Sequence, residues 1–314
     1  MSRVVLALGS NLGDREGTIR AGIRDIAALD GVELLAASGL VETPALKPDG
    51  VDEDAPAYLN AVVTAETTLE PHELLAALSI LQRGDLPLRD LIGAYAGEIG
   101  QTQFLPSSYI KYGVDFDGDG RVDMIHSTPD ALASAANLMK SFGWQRGQPW
   151  LQEVRVPAEM PWQESGLENK HPRSQWVRWG VTAARGQLPA DNLEASLILP
   201  MGRLGPAFLA YPNFKAYIEW NAALVYSTTA AYFGTRLAGA PPFGQGNGQP
   251  VVPTTPQVQE LQQLLIARKM LTGEADGRLG SATRVAVKQA QIKVGLPADA
   301  YPTQELIERL RAGR

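Results

Sequence analysis

One stretch of the chain reads Asp115-Phe116-Asp117-Gly118-Asp119-Gly120-Arg121-Val122-Asp123. Its acidic residues stand at positions 1, 3, 5 and 9, with glycine at position 6, which is the pattern of the first half of a calcium-binding loop. Ca²⁺ takes about six to eight oxygen ligands, which alternating carboxylates on a tight turn can supply. Position 12 departs from the pattern because it is His126, and Asp130 is the later carboxylate that could complete the site. The stretch predicts a calcium site, and the alternative is an acidic turn without metal.

A polar segment punctuated by glycine lies just before this loop. It reads Gly97-Glu98-Ile99-Gly100-Gln101-Thr102-Gln103-Phe104-Leu105-Pro106-Ser107-Ser108-Tyr109. Its amide and hydroxyl groups are hydrogen-bonding partners of the kind that hydroxyl-rich ligands need. The same composition is typical of a turn at a helix end, and composition alone leaves both interpretations open.

The overall composition is that of an ordinary globular protein and excludes several kinds of site. The chain has 314 residues, of which 45% are hydrophobic and 20% charged, and this length favours two or three domains. A net charge of −6 argues against nucleic-acid binding. Because the chain has no cysteine, disulfides, thiolate zinc sites and cysteine nucleophiles are excluded. Three histidines in separate segments do not suggest a histidine metal site.

The first residues predict a buried strand rather than a targeting segment. Residues 4–8 are an apolar run closed by Gly9-Ser10-Asn11, and this run is shorter than the roughly 7–15 apolar residues of a signal peptide. No stretch approaches the ~20 apolar residues that a transmembrane helix needs. The sequence as written therefore predicts a cytoplasmic protein without a transmembrane segment.

Changes in composition divide the chain into three domains and a linker. The predicted division is an α+β domain at 1–78, a mainly helical domain with an aromatic-rich cleft at 79–243, a linker rich in Pro, Gly and Gln at 244–256, and a three-helix domain at 257–314. Within the first domain the pattern predicts strands at 4–8, 32–37 and 60–66, helices at 17–29 and 71–81, and a loop at 44–56. The fold class is therefore multidomain.

Residues 81–243 resemble the C-terminal two thirds of the membrane-bound lytic murein transglycosylase B family. The motifs that carry the resemblance are, in chain order, Gly93-Ala94-Tyr95-Ala96-Gly97-Glu98-Ile99-Gly100-Gln101-Thr102-Gln103-Phe104, Pro106-Ser107-Ser108-Tyr109, residues 114–123, Ser134-Ala135-Ala136-Asn137, Gly143-Trp144, Tyr211-Pro212-Asn213-Phe214 and Trp220-Asn221. The match is collinear over roughly 160 residues.

The resemblance implies a lysozyme-like fold with an embedded EF-hand-like calcium site. It also implies cleavage of peptidoglycan glycan strands between N-acetylmuramic acid and N-acetylglucosamine without water, in the periplasm or cell envelope. By position, it implies that Gln103, Asn221 and Tyr226 line the glycan cleft. The implied ligands of a structural Ca²⁺ are Asp115, Asp117, Asp119, Asp130 and the carbonyl of Arg121. Two polar cleft positions of the family are Ala94 and Leu138 here.

The resemblance does not extend to the segment that carries the family's catalytic acid. That acid is a glutamate in a Glu-[Ser/Thr]-x-[Tyr/Phe]-Gly motif, which protonates the leaving oxygen and then deprotonates the muramyl hydroxyl. The partial match Val41-Glu42-Thr43 is followed by Pro44, where a helix would have to continue. Glu98 is the candidate substitute acid. The alternative is that Glu98 is a structural or cleft carboxylate and that activity is impaired.

Residues 1–78 resemble the N-terminal half of 6-hydroxymethyl-7,8-dihydropterin pyrophosphokinase, a folate-pathway enzyme. The matching motifs are Ala7-Leu8-Gly9-Ser10-Asn11-Leu12-Gly13-Asp14, Val41-Glu42-Thr43-Pro44 and Tyr58-Leu59-Asn60-Ala61-Val62-Val63. The resemblance implies half of a ferredoxin-like fold, and its implied pterin contacts are Thr43, Pro44, Leu46, Tyr58 and Asn60. Mg²⁺ and ATP are implied only if this hypothesis holds, because no Asp-x-Asp pair follows Asn60 before the acidic loop. The missing half would supply further strands, which leaves an exposed sheet edge.

Residues 257–314 resemble the common peptidoglycan-binding domain. The residues that carry this resemblance are Val258, Leu261-Gln262, Leu265, Asp276-Gly277, Gly280, Thr283-Arg284, Val287, Gln291 and Gly295-Leu296.

The three resemblances together lead to three functional hypotheses: a transglycosylase relative with reduced or absent activity, a non-catalytic peptidoglycan binder, and a pterin pyrophosphokinase. The first two truncated domains meet near residues 78–82 without a polar linker, which indicates a deletion fusion, a mis-assembled reading frame or a chimera.

Overall fold

The computed structural model describes residues 1–47, 50–52, 55–94 and 97–313, with the backbone alone at 46–47 and 50–52. The chain divides into two compact units, Met1–Leu138 and Met139–Arg314. Both units combine helices with strands. No helix in the described ranges is both long and apolar enough to cross a membrane.

The first unit begins with the α+β segment that the sequence predicts. Its elements are β1 (Ser2–Ser10), α1 (Arg15–Ala28), β2 (Val32–Ala37), β3 (Val41–Thr43), β4 (Ala45–Lys47), β5 (Gly50–Asp52), β6 (Tyr58–Thr67), α2 (Pro71–Arg83), α3 (Pro106–Tyr112) and α4 (Thr128–Ser141). The three strands and two helices predicted within the first 81 residues are present, with ends that differ by at most two residues. The predicted loop at 44–56 contains the short antiparallel pair β4–β5.

β6 is the central strand of the sheet in the first unit. It pairs antiparallel with β1, from Ser2 opposite Thr67 to Ser10 opposite Leu59. On its other side it pairs with β2 and, nearer its start, with β3. The alternation along β1 turns Val4 and Leu6 toward the core and leaves the intervening residues exposed. One face of the sheet is therefore covered.

α2 lies in a core built by two sequence segments of the first unit: the N-terminal segment at 1–78 and the segment from residue 79 onward, which resembles the transglycosylases. Leu74 and Ile80 of α2 are buried in one cluster with Leu29 from the N-terminal segment. The same cluster contains residues of the segment that resembles the transglycosylases, namely Leu91, Ile99, Phe104, Tyr109, Val122, Met124 and Ala131. The core is thus continuous across residue 78, and burial of apolar surface from both segments stabilises the join.

The second unit contains an antiparallel sheet followed by helices. Its elements are β7 (Leu151–Arg155), β8 (His171–Pro172), α5 (Arg173–Arg178), β9 (Thr182–Ala183), β10 (Glu194–Ile198), β11 (Ala207–Ala210), α6 (Phe214–Trp220), α7 (Leu224–Leu237), α8 (Thr255–Ala267), α9 (Ser281–Lys293) and α10 (Gln304–Arg311). The strand order is β8-β10-β11-β7-β9. Trp176 is fully buried against this sheet, and its Nε1 donates to the Ala195 carbonyl at 2.9 Å.

This five-stranded sheet was not predicted, so the expectation of a mainly helical segment at 79–243 is incomplete. Four of the five residues of β10 and all four residues of β11 are buried. Strands covered on both faces show no alternation of apolar and polar residues, and short apolar runs of this kind resemble buried helix segments. β8 and β9 are only two residues long each and leave no sequence pattern.

The three helices predicted at the C-terminal end are present as α8, α9 and α10, around a core that includes Leu261, Val287 and Leu306. Polar contacts fix α9 to loops beside the sheet of the second unit. Arg284 Nη2 donates to the Pro200 carbonyl at 2.8 Å, and Lys288 Nζ lies 2.5 Å from Glu168 Oε1.

The segment predicted to be an extended, solvated linker at 244–256 is partly attached to the sheet of the second unit. The Gly244 amide donates to Glu153 Oε1 at 2.7 Å, and Asn247 Nδ2 donates to the Val156 carbonyl at 2.6 Å. These two contacts hold the beginning of the linker in place.

Candidate functional site

The acidic loop of the first unit is closed around the carboxylate of Asp115. Asp115 Oδ1 accepts the Gly118 amide at 2.7 Å, and its Oδ2 accepts the Gly120 amide at 2.9 Å. Gly120 has φ +89°, a left-handed conformation that favours glycine and lets the chain turn back at this point. The two hydrogen bonds therefore explain why aspartate and glycine alternate here.

Asp130, in the first turn of α4, closes the loop from the other side. Its side chain is 1% exposed, Oδ1 accepts the Phe116 amide at 2.8 Å, and Oδ2 accepts the Asp123 amide at 2.9 Å. One carboxylate oxygen from each of Asp115, Asp117 and Asp130 lies within 4.8 Å of the other two. A cluster of three carboxylates with one buried member suits a hard divalent cation, because paired positive charge offsets the cost of burial.

The remaining calcium candidates lie around this cluster. Asp119 is exposed and accepts the Arg121 amide at 2.8 Å, and it is not among the three clustered carboxylates. At position 12, His126 Nδ1 lies 3.0 Å from Asp123 Oδ2. Burial raises the pKa of Asp123, but hydrogen bonds from the His126 and Ile125 amides and the His126 ring outweigh it, so this pKa lies below its ordinary value. His126 therefore stabilises the loop by hydrogen bonding to the Asp123 carboxylate.

The segment at 97–109 is fixed to the acidic loop by backbone contacts. The Gln101 amide donates to the Met124 carbonyl at 2.9 Å, and a side chain on Gly100 would come within 2.8 Å of that carbonyl oxygen. Gln103 has φ +54°, is exposed, and donates through Nε2 to the Gly100 carbonyl at 3.0 Å. The turn therefore presents the predicted cleft residue Gln103 at the surface of the first unit.

Glu73 is a buried carboxylate that no functional motif in the sequence indicates. Its oxygens accept the Ser107 amide at 2.8 Å and the Ser107 hydroxyl at 2.6 Å, and His72 Nε2 lies 3.2 Å from Oε1. Glu73 therefore fixes the start of α3 to the first turn of α2. Its position early in a predicted helix was visible in the sequence, but its long-range partner was not.

Glu98, the candidate substitute acid, is half-buried between Gly97 and the buried Ile99. Its carbonyl accepts the Ala94 amide at 2.8 Å. Its catalytic assignment remains a prediction.

Asn221 and Tyr226 lie in the second unit, whereas Gln103 lies in the first. Asn221 follows α6, and its Oδ1 accepts the Ala223 amide at 2.9 Å. Ser227 of α7 donates its hydroxyl to the Asn221 carbonyl at 2.5 Å. Tyr226, in the first turn of α7, is exposed. The two residues therefore share the turn between α6 and α7.

Three of the predicted pterin contacts lie together where β3 pairs with β6. Thr43 is opposite Tyr58 in the register, and Asn60 Nδ2 donates to Thr43 Oγ1 at 2.8 Å. Pro44 directly follows β3 and is exposed. The side chain of Leu46 lies outside the described residues.

The family model described as the transglycosylase SLT domain matches residues 59–235, which is more than half of the 314 residues. The chain belongs to this family. The transglycosylase domain of the chain thus includes the 97–109 segment, the acidic loop, the sheet of the second unit and most of α7.

The transglycosylase domain is similar to proteins of known sequence and structure. It is 35% identical over 158 residues to membrane-bound lytic murein transglycosylase B of Escherichia coli (strain K12), covering 49% of this chain and 41% of that protein. Crystal structures of SltB3 from Pseudomonas aeruginosa, in complex with NAG-anhNAM-pentapeptide and with NAG-NAM-pentapeptide, are 42% identical with a TM-score of 0.68. That match covers 76% of this chain and 65% of SltB3. The chain thus spans less than two thirds of either relative.

The two other resemblances are also confirmed. The pterin pyrophosphokinase family model matches residues 5–84, and the peptidoglycan binding domain model matches residues 254–310. The N-terminal segment is 40% identical over 75 residues to 2-amino-4-hydroxy-6-hydroxymethyldihydropteridine pyrophosphokinase of Methylorubrum extorquens, covering 24% of this chain and 45% of that enzyme. The pyrophosphokinase and transglycosylase matches overlap at 59–84, which contains nearly all of β6 and the whole of α2.

Proposed function

We propose that this chain binds peptidoglycan glycan strands through its transglycosylase domain and its C-terminal peptidoglycan-binding domain, with little or no lytic activity. The observation that carries the proposal is the turn at 97–109, which is fixed to the acidic loop and leaves the amide side chain of Gln103 exposed. Asn221 and the exposed Tyr226 supply a second polar and aromatic surface of the kind that sugars bind. The SltB3 crystal structures are complexes with NAG-anhNAM-pentapeptide and with NAG-NAM-pentapeptide, which supports this ligand class.

The proposed loss of activity follows from the missing acid. Cleavage of a glycosidic bond needs a carboxylic acid positioned to protonate the leaving oxygen. The sequence lacks the family's catalytic glutamate motif. Glu98 is the proposed source of any residual turnover. The presence of the binding residues without that motif therefore favours a peptidoglycan binder without turnover, and a weakly active transglycosylase that uses Glu98 as its acid is the second candidate.

Calcium is proposed as a structural ion of the acidic loop. Asp115, Asp117 and Asp130 would hold it, because their oxygens converge and Asp130 is buried. The resemblance adds Asp119 and the Arg121 carbonyl as further ligands. A bound Ca²⁺ supplies positive charge that stabilises the loop and, through Met124, the turn that carries Gln103.

We assign a lysozyme-like core and an EF-hand-like loop to the transglycosylase domain, and half of a ferredoxin-like fold to the N-terminal sheet, whose order β1-β6-β2 supports it. A glycan-strand ligand places the protein's site of action in the cell envelope. We do not assign pyrophosphoryl transfer to a pterin, because the Asp-x-Asp pair for Mg²⁺ and ATP does not follow Asn60 before the acidic loop. Pterin contacts by Thr43, Pro44, Leu46, Tyr58 and Asn60 remain a prediction.

Replacing Tyr226 by alanine tests the glycan-binding assignment. We expect Tyr226→Ala to reduce co-sedimentation with purified peptidoglycan several-fold, because a sugar-stacking ring contributes on the order of 1 kcal/mol or more. The matched control is Val225→Ala, since Val225 is the neighbouring α7 residue and is similarly exposed, at 56% against 53% for Tyr226. Equal sedimentation of the two variants would remove Tyr226 from the binding surface.

A further inference from the structure

The strand β1 leaves one edge of the N-terminal sheet open. Within the described part of the chain β1 pairs with β6 alone. Its nine residues keep a regular register with no shift, contain no proline, and include a single charged residue, Arg3. Arg3 is already bound to Glu66 on β6 at 3.1 Å. A regular strand of about 30 Å thus presents backbone N–H and C=O groups to a further strand.

The opposite edge of the same sheet is protected, which singles out β1. The register between β2 and β6 shifts between Leu34 and Ala36, and β3 continues the pairing with β6 beyond that irregularity. Bulges and short interrupted strands are the devices by which proteins prevent edge-to-edge pairing. β1 carries none of these devices, so its edge is the one available for association.

We propose that two copies of this chain associate through antiparallel pairing of their β1 strands about a two-fold axis at Leu6. Leu6 is the middle residue of β1, so an axis there pairs the whole strand from Ser2 to Ser10. Val4, Leu6 and Leu8 are half-buried, whereas Val5 and Ala7 are exposed. Residues directly opposite each other in an antiparallel pair point to the same face of the sheet. The covered face therefore continues into the second copy only in a register that places half-buried residues opposite half-buried residues.

In this register the side chains of β1 in one copy are complementary to those of β1 in the second copy. Leu6 lies opposite Leu6 of the second copy, Val4 opposite Leu8, and Val5 opposite Ala7. Arg3 lies opposite Gly9, so no like charges face each other. Val5 is 67% exposed in the single chain, and the pairing would cover part of this apolar surface. Such an interface is isologous and closes after two copies, because the edge of β1 in each copy is covered by β1 of the other.

The oligomeric state of the full chain tests this inference independently of peptidoglycan binding. Light scattering coupled to size exclusion is expected to give twice the chain mass of 33.8 kDa for the native sequence. The variant Val5→Lys with Ala7→Lys places lysines directly opposite each other and is expected to give 33.8 kDa. The control Leu35→Lys with Val41→Lys adds the same charge at exposed positions near the other edge, and it should remain dimeric.

The absence of cysteine permits a direct test of the register. In the proposed pairing, Cα atoms of residues 5 and 7 lie about 4.5–5.5 Å apart between copies, within the range of a disulfide. The variant Val5→Cys with Ala7→Cys should therefore form a disulfide-linked dimer on mild oxidation, whereas either single-cysteine variant should form much less. A native mass of 33.8 kDa, a dimer that survives the two lysines on β1, or equal cross-linking of all three cysteine variants would overturn the inference.

Discussion

Replacing Asp130 by alanine is expected to lower the free energy of unfolding of the first unit by about 3 kcal/mol and to abolish its stabilisation by calcium. The buried carboxylate accepts the Phe116 and Asp123 amides at 2.8 and 2.9 Å, and the loss of both acceptors leaves those N–H groups without partners. Because a cation bound only to the folded state adds stability, the wild type should show a higher Tm with added Ca²⁺. Thermal unfolding with Ca²⁺ and with chelator measures both effects.

Two further variants distinguish the contribution of the three clustered carboxylates to calcium binding from that of the other loop residues. Asp117→Ala removes a member of the cluster and should lose most of the calcium-dependent rise in Tm. Asp119→Ala removes an exposed carboxylate that accepts the Arg121 amide, and it should keep most of that rise. The calcium assignment fails if the wild-type Tm does not respond to Ca²⁺, and the role of Asp130 fails if Asp130→Ala responds as the wild type does.

Replacing Ile80 by alanine is expected to destabilise both sequence segments of the first unit together, by about 3 kcal/mol. Ile80 is 0% exposed and belongs to the cluster that includes Leu29 from the N-terminal segment and Met124 beside the acidic loop. Removing the Ile80 side chain leaves a cavity between the N-terminal segment and the segment that contains the acidic loop. Hydrogen exchange followed by mass spectrometry should show loss of protection in β6 and in α3 at the same time.

The control for this variant is Leu75→Ala on the same helix, because Leu75 is 65% exposed and its truncation leaves no cavity. It should change the free energy of unfolding by less than about 0.5 kcal/mol. If Ile80→Ala reduces protection in β6 but leaves α3 as protected as in the wild type, the two segments fold separately and the shared core does not hold them together.

The first unit was predictable where its sequence patterns are local. β1 and β6 alternate or carry apolar runs between turn residues, and α2 begins with Pro71, so their ends were placed within two residues. The shared core was not predictable from these patterns. α2 lies in the stretch that both family models match, and only the fold shows that its buried side contacts both segments.

The candidate site was predictable to a similar extent. Asp115, Asp117 and Asp130 were named from motif and resemblance, and the structure brings them together, whereas Asp119 lies outside their cluster. The contact of Glu73 with Ser107 was missed because it joins residues 34 apart in the chain. The sheet of the second unit was missed because β10 and β11 are buried on both faces and lack a period-two pattern.

The most direct test of the proposed function is incubation of the purified full chain with peptidoglycan, followed by sedimentation and mass spectrometry of the soluble products. We expect the protein to sediment with the peptidoglycan and the soluble fraction to contain no 1,6-anhydro-muropeptides. Release of such products would contradict the proposed loss of activity, and Glu98→Gln would then test whether Glu98 supplies the acid. Protein that stays in the supernatant would contradict peptidoglycan binding, the central claim.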